Sequence, residues 1–156
     1  MKIESFPLDF EKDYPIAQGW ANVWWRDSDG DNSNQLEKDV LPLDGVITYV
    51  DDVPAAISFQ YFASNAKISL MAYVISNPDF HGKSLLYAID HNLEKSKQIS
   101  CEMGNKNQIA LTQHIAVKKR LEKKGYYDSG EFNFLYSRCD SNENNEILAL
   151  TENNNK

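Results

Sequence analysis

The sequence predicts an α+β (mixed α/β) fold in which helices flank a central, mostly antiparallel sheet. Three apolar segments follow one another between residues 46 and 75 with short polar turns between them, as in an antiparallel meander. Before and after them, apolar residues recur at the three- and four-residue spacing of a helix. The chain has 156 residues, 42% of them hydrophobic, which is enough for one domain with its own core.

The N-terminal region predicts a strand followed by a helix. Residues 1–10 form a candidate short strand that Pro7 breaks. Residues 14–25 place apolar side chains on one helical face: Ile16, Trp20, Val23 and Trp24. Three tryptophans in this segment favour packing in the core, and an aromatic ligand cage or a homodimer surface are the alternatives.

Residues 27–39 are predicted to be an acidic loop, with five acidic residues and one basic residue. Alternating carboxylates can wrap a calcium ion. However, the EF-hand pattern requires a glycine where this chain has Asn32 and a glutamate where it has Lys38. We therefore predict a solvated loop and no metal site.

The middle of the chain predicts three antiparallel strands, at residues 46–50, 53–63 and 68–75. Asp51 and Asp52 form the first turn between them. The second strand alternates apolar with smaller or polar residues, which is typical of a half-buried strand. The third strand is almost wholly apolar, which predicts a central strand covered on both faces.

The period of the apolar residues changes after Pro78. A helix is predicted over residues 82–97 because four leucines and isoleucines share one of its faces: Leu85, Leu86, Ile89 and Leu93. A short strand at 99–103 follows, which would bury Cys101. A basic helix at 112–124 is ended by Gly125.

The last segments predict a closing strand and a tail. Phe132, Phe134 and Tyr136 alternate in residues 131–137, as in a strand. Residues 139–156 are acidic and asparagine-rich, and most of them are predicted to be disordered. The domain organisation is therefore one domain at 1–138 followed by this tail.

The formal net charge is −7, but the acidic residues are concentrated in segment 27–39 and in the tail. Segment 83–124 instead holds nine basic and four acidic residues. The total disfavours a membrane-surface protein or a nucleic-acid coat, whereas the basic segment permits a small polyanionic ligand. Two distant cysteines and the lack of a signal peptide or membrane span predict free thiols in the cytoplasm.

Several short segments, in this order, resemble the GNAT-type N-acetyltransferase fold, and more narrowly small GNAT-like proteins of bacteriophages and prophages. The resemblance covers roughly residues 14–138. Its carriers are Gln18-Gly19-Trp20, Leu41-Pro42, the hairpin at 45–63, the sequence YVISNP at 73–78, and the helix end at 119–126 with its Gly-aromatic pair.

The resemblance implies acetyl-CoA as cofactor. The edge that pairs with its pantetheine arm would be the strand end at Val74, Ile75 and Ser76. The pyrophosphate would lie on the turn before the following helix. That cradle comprises Gly82, Lys83 and Ser84, whose amides begin the helix where an anion is favoured.

Two departures from the family pattern stand out. Asp79 occupies a phosphate-loop position that is usually Arg or Gln, although an aspartate there could instead cap the helix. Leu121 stands where many members have a tyrosine that protonates the leaving thiolate. The candidate catalytic residues are therefore His114 and Glu102 as bases and Tyr126 as proton donor.

Two functions are predicted from this resemblance. One is direct acetyl transfer from acetyl-CoA to the amine of a small molecule or a protein. The alternative is a non-catalytic GNAT-like protein that binds a basic host protein, such as a defence component, through the acidic loop 27–39. Nucleic-acid binding by the basic cluster at 118–124 is the less favoured reading, since this cluster can be the solvated face of a helix.

Overall fold

The computed structural model of the chain describes residues 1–25, 36–112 and 115–130. The chain divides into two compact units, Met1–Tyr126 and Tyr127–Lys156. In the described part of the second unit, the backbone amide of Gly130 donates a hydrogen bond to the Asp128 carboxylate at 3.0 Å. The first unit contains the helices and strands described below.

The described residues form one five-stranded sheet with the strand order β1-β2-β3-β4-β5. In chain order the elements are β1 (Ile3–Pro7), α1 (Phe10–Trp24), a 3₁₀ turn (Lys38–Val40), β2 (Gly45–Val50), β3 (Val53–Phe62), β4 (Ile68–Ser76), α2 (Gly82–Glu102), β5 (Asn107–Ala110) and α3 (Ile115–Lys123). The first four strands are antiparallel and β5 is parallel to β4. The predicted fold class is confirmed.

An apolar core lies between α1 and one face of the sheet. The buried residues of α1 recur at helical spacing: Phe10, Tyr14, Ala17, Trp20 and Ala21. They pack against Ile47, Ile57, Phe59 and Ile75. Burying each large side chain stabilises the fold by about 1.5–3 kcal/mol. This face therefore follows the apolar periodicity that predicts it, and Trp20 is a core residue.

Helix α1 begins four residues earlier than the predicted segment at 14–25. Asp13 accepts a hydrogen bond from the backbone amide of Asp9 at 2.9 Å. Its side chain therefore gives a partner to the N–H of the residue that precedes the first turn. Phe10 is the first residue of the helix, and its buried aromatic ring packs in the core.

The other face of the sheet carries a polar layer beneath α2. The buried stripe of this helix contains Ala88, Asn92, Ser96 and Ser100 at four-residue spacing. The Asn92 amide donates to the Val46 carbonyl at 3.0 Å, and the hydroxyls of Ser100 and Ser69 share a hydrogen bond at 2.7 Å. The predicted helix is confirmed, but its apolar face is buried only in part: Leu93 is fully buried and Ile89 packs against the same cluster, whereas Leu86 is 39% exposed.

The predicted strand at 99–103 is also wrong, because α2 continues through Glu102 instead of ending at residue 97. Ser100 extends the polar stripe that packs on the sheet, so the helix keeps a buried face where its apolar pattern stops. Cys101 is consequently exposed and not buried. Strand β5 lies further along the chain, at Asn107–Ala110.

Strand β4 differs from the prediction of a strand covered on both faces. Buried and partly exposed residues alternate along it, and Tyr73 is 43% exposed. Helix α3 ends as predicted before Gly125, whose φ is 85°. The predicted closing strand at 131–137, the tail at 139–156 and most of the acidic loop at 27–39 lie outside the described residues. No helix among the described residues is long and apolar enough to cross a bilayer.

Candidate active site

Strand β4 has two halves with different neighbours. From Ile68 to Met71 it pairs with β5, and this pairing ends at Ala110. Beyond that point β4 continues to Ser76, still paired with β3 on its other side. Within the described residues, no strand pairs with this second half on the β5 side, so we call it the open half of β4.

A β-bulge marks the start of the open half. Ile57 of β3 pairs with Ile75, but Phe59, two residues on, pairs with Ala72, three residues back. The extra residue on β4 disrupts the ladder, as in other bulges. Tyr73 lies at this bulge with a φ of 51°, a left-handed conformation that costs a non-glycine residue roughly 1–2 kcal/mol. Backbone strain of this kind is concentrated at functional sites.

The peptide groups of Ser76 face the open side. The Asn77 amide donates to the Ala55 carbonyl of β3 at 2.9 Å. Because the N–H and C=O of one peptide point in opposite directions along an extended strand, the Ser76 carbonyl points away from β3. It accepts a hydrogen bond from the indole Nε1 of Trp24 at 2.7 Å.

The end of α1 is attached to the open half through two aromatic residues. Trp24 makes the hydrogen bond to Ser76 and is 50% exposed. The ring of Trp25 lies 6.1 Å from that of Tyr73, tilted by 56°. The three tryptophans of this segment therefore divide, since Trp20 is in the core and the other two contact β4.

The N-terminus of α2 follows the open half after a short turn. Gly82 begins the helix with a φ of 68°, and His81 before it makes no side-chain capping hydrogen bond. The first turn contains no acidic residue and includes Lys83. Backbone amides of a first helical turn lack intrahelical acceptors and attract anions. This end of α2 therefore has the donors that a phosphate group requires.

Asn77 organises the turn between β4 and α2. Its amide donates to the Pro54 carbonyl at 2.9 Å, and its Oδ1 accepts from the backbone amide of Asp79 at 2.9 Å. Asp79 itself is exposed and does not cap α2, because His81 occupies the N-cap position. In the predicted phosphate cradle, the Ser84 hydroxyl donates a hydrogen bond to the His81 carbonyl at 3.1 Å.

Part of the basic segment holds α3 against α2. Arg120 donates to the Asp90 carboxylate, and Lys124 lies 3.2 Å from Glu94. Lys97 of α2 donates to the Lys124 carbonyl at 2.8 Å. These cations therefore already have partners within the fold. Lys83, the second residue of α2, is the basic residue closest in sequence to its N-terminus.

Of the three predicted catalytic residues, the structure describes Glu102 and Tyr126. His114 lies outside the described residues. Glu102 is exposed at the last turn of α2, where it accepts a hydrogen bond from Gln98 at 2.7 Å, so its predicted place on a strand is wrong. Leu121, which stands in place of the family tyrosine, is buried in the core with Met71 and Leu93.

Tyr126 packs beside that core and its hydroxyl donates to the Gln108 side chain of β5. Burial, the nearby Glu94 carboxylate and Cys101 raise the pKa of Tyr126 to about 12. The phenol therefore keeps its proton at neutral pH. Val74 of the open half packs against the same apolar cluster.

Comparisons with solved structures identify this fold. A GCN5-related N-acetyltransferase from Ralstonia eutropha JMP134 superposes with a TM-score of 0.59 at 11% identity, over 86% of this chain and 99% of that one. An aminoglycoside acetyltransferase from an uncultured soil metagenomic sample, in complex with sisomicin, gives 0.63 at 10% identity, over 87% and 96%. A predicted acetyltransferase with acetyl-CoA from Clostridium acetobutylicum gives 0.58 at 12% identity, over 86% and 96%.

These matches show that the chain has the GNAT fold, as the sequence resemblance implies. No protein-family model matches the sequence, and no curated protein matches it either. Sequence reasoning considered the tryptophans as a possible aromatic cage, but it did not predict that Trp24 and Trp25 contact the open half or that Tyr73 is its strained residue. The run of aromatics was visible in the sequence, but not its contact with a strand some fifty residues away.

Proposed function

We propose that the chain is an acetyl-CoA-dependent N-acetyltransferase that transfers acetyl directly to an amine. The observation that carries this proposal is the open half of β4 next to the uncapped N-terminus of α2. A strand edge with outward peptide groups suits the peptide-like pantetheine arm, and helix amides suit its pyrophosphate. When bound, acetyl-CoA supplies an acetyl group activated as a thioester.

The residues of the open half fit such an arm. In the proposal, the peptide groups of Val74, Ile75 and Ser76 present the edge, and the outward N–H of Ser76 donates to the arm. Gly82, Lys83 and Ser84 hold the pyrophosphate through their backbone amides and the lysine ammonium. Asp79 is exposed, so its carboxylate can remain in solvent where its repulsion of phosphate is screened.

The acceptor in this proposal is an amine of a small molecule, the class named for the sisomicin-bound relative, or of a protein. Trp24 and Trp25 form an aromatic wall beside the open half, together with Tyr73 of the open half itself. His114 is the proposed base for the amine proton; Glu102 is not retained, because it lies at the far end of α2 from the proposed pyrophosphate cradle. Tyr126 is the proposed proton donor to the leaving thiolate, and backbone N–H groups hold the oxyanion.

Calorimetric titration with acetyl-CoA tests the proposal. We expect saturable binding, weakened in Gly82→Val, because a β-branched residue cannot adopt the left-handed backbone of the cradle. Gly19→Ala is the matched control, since a Cβ there meets nothing within 4 Å. An assay of thiol release with a panel of amines then tests transfer. No binding at millimolar acetyl-CoA would remove the proposal.

A second candidate is a non-catalytic GNAT-like protein that binds and modulates a basic host protein. It is favoured by Leu121, a buried core residue that cannot donate a proton in the family manner. The acidic loop 27–39 would meet the partner, in a host cytoplasm if the chain is of phage or prophage origin. A pull-down from host lysate with and without residues 27–39 tests this alternative, and an unchanged set of partners would contradict it.

A further inference from the structure

A depression of about 400 Å³ lies between the first turns of α1 and the strand pair β1–β2. Four carboxylate residues line it: Glu4, Asp9, Asp13 and Asp52. This depression is separate from the proposed cofactor site. Asp13 and Trp24 are eleven residues apart on α1, which is roughly 16 Å along the helix axis.

Asp13 is the unusual member of this group because its side chain is buried but incompletely bonded. It is 2% exposed. Its Oδ2 accepts the Asp9 amide at 2.9 Å, whereas its Oδ1 is buried without a hydrogen-bond partner among the described residues. A buried carboxylate oxygen without a donor is costly, and a ligand with N–H groups would satisfy it.

Aromatic and apolar groups complete the lining. Phe6 is 48% exposed and packs edge-on against Tyr49, with 6.0 Å between the ring centroids. Ile47 adds an aliphatic surface. Carboxylates beside aromatic faces suit a flat, weakly hydrated cation that can both stack and donate several hydrogen bonds.

Lys12 and Lys2 lie near the depression, but they do not prevent it from binding another cation. Lys12 lines it. Lys2 lies 2.8 Å from Glu4 and 3.8 Å from Asp52, and all three side chains are at least 41% exposed. Exposed ion pairs are weak and exchange readily with another cation. Neither ion pair of Lys2 includes Asp13.

We propose that this depression binds a guanidinium group, either of free arginine or of an arginine side chain in a polypeptide. One N–H of the guanidinium would donate to Asp13 Oδ1, and its plane would rest on the exposed ring of Phe6. A metal ion is a poorer ligand here, because the described residues contain no group of three ligating side chains with suitable geometry. The proposal does not depend on the acetyltransferase function.

The test is an NMR titration of the full chain with N-acetylarginine amide, with N-acetylcitrulline amide as the uncharged control. We expect saturable shifts of the Ile47 and Tyr49 amides with a dissociation constant on the order of 1 mM, and none with citrulline. Free arginine and an arginine-containing peptide, titrated in parallel, distinguish the two sources. Tighter binding of the peptide would indicate a polypeptide partner.

Asp13→Asn should weaken binding by about tenfold or more, since it removes the charge while keeping an acceptor for the Asp9 amide. Glu4→Gln serves as a second variant if Asp13→Asn fails to fold, and should weaken binding several-fold. Glu122→Gln, an exposed residue of α3, is the matched control and should bind as the unchanged chain does. Equal binding of arginine and citrulline probes, no saturable shift, or full binding by both variants would overturn the proposal.

Discussion

The two halves of β4 have the same neighbour on one side and different surroundings on the other. The first half, Ile68 to Met71, is closed by β5 and rests on the core through Met71. The second half begins at a bulge, holds a strained Tyr73 and leaves the peptide groups of Ser76 facing outward. Both halves supply core residues, Met71 and Ile75, but only the second has an unpaired edge, which in the proposed function binds the cofactor.

The first prediction compares the loss of stability at a buried residue of the first half with that at an exposed residue of the second half. Met71→Ala should lower the free energy of unfolding by about 2–5 kcal/mol, because Met71 is 2% exposed and packs against Leu93 and Leu121. Tyr73→Ala in the open half should cost about 1 kcal/mol or less, since it loses mainly one ring contact. Urea denaturation measures both. Equal losses would contradict the difference in burial between these two positions.

The next effect concerns the turn that follows the open half. Gly82→Ala should destabilise the fold by about 1–2 kcal/mol, because alanine resists a φ of 68°. Gly19→Ala, in the open interior of α1, should instead stabilise by up to about 1 kcal/mol. Thermal unfolding of the two variants compares a required glycine with a dispensable one, and shifts of the same sign would refute the distinction.

A pH-dependent effect involves the cluster beneath β4. The pKa of Tyr126 is raised to about 12 in the folded chain, above its unfolded value of about 10. A raised folded pKa contributes stability that is complete below pH 10 and is lost as the pH rises from about 10 to 12. Unfolding should therefore become easier over this range, and less so in Tyr126→Phe. Absorbance titration of phenolate should show a late-ionising tyrosine that is missing in Tyr126→Phe; the same titration curve in both chains would contradict the assignment.

The smallest effect tests the Trp24 contact at the open edge. Trp24→Phe removes the donor to the Ser76 carbonyl and should change stability by less than about 1 kcal/mol, because the hydrogen bond is exposed. It should also strengthen acetyl-CoA binding a few-fold by freeing the carbonyl for the arm. Trp25→Phe, which keeps an aromatic ring beside Tyr73, is the control. Weaker binding in Trp24→Phe would mean that the indole supports the ligand instead of competing with it.

The sequence predicts the apolar face of this fold well and its polar face poorly. Helix α1 buries a regular pattern of large apolar residues, which periodicity detects. Strand β3 supplies Ile57 and Phe59 to the same face, but its prediction as a half-buried strand is wrong, because every residue from Ala55 to Gln60 is buried. The buried stripe of α2 contains Asn92, Ser96 and Ser100, and their hydrogen bonds to the sheet are not visible to a hydrophobic pattern. The predicted end of α2 and the predicted strand after it were wrong for this reason.

The candidate site, too, is predictable from the sequence only in part. The position of Ser76 and Gly82 around the strand end followed from the family resemblance, and the structure brings both to one end of β4. The left-handed Tyr73 was not predictable, because a bulky aromatic residue disfavours that conformation and tertiary packing must impose it. Likewise, the Trp24 hydrogen bond joins residues 52 positions apart.

Amide-resolved NMR with acetyl-CoA tests the division of β4 most directly. We expect saturable shifts for the amides of Ser76 and of the first α2 turn from Gly82 to Leu85, with little change from Ile68 to Met71. Shifts confined to other parts of the chain, or an unchanged spectrum at millimolar acetyl-CoA, would contradict it.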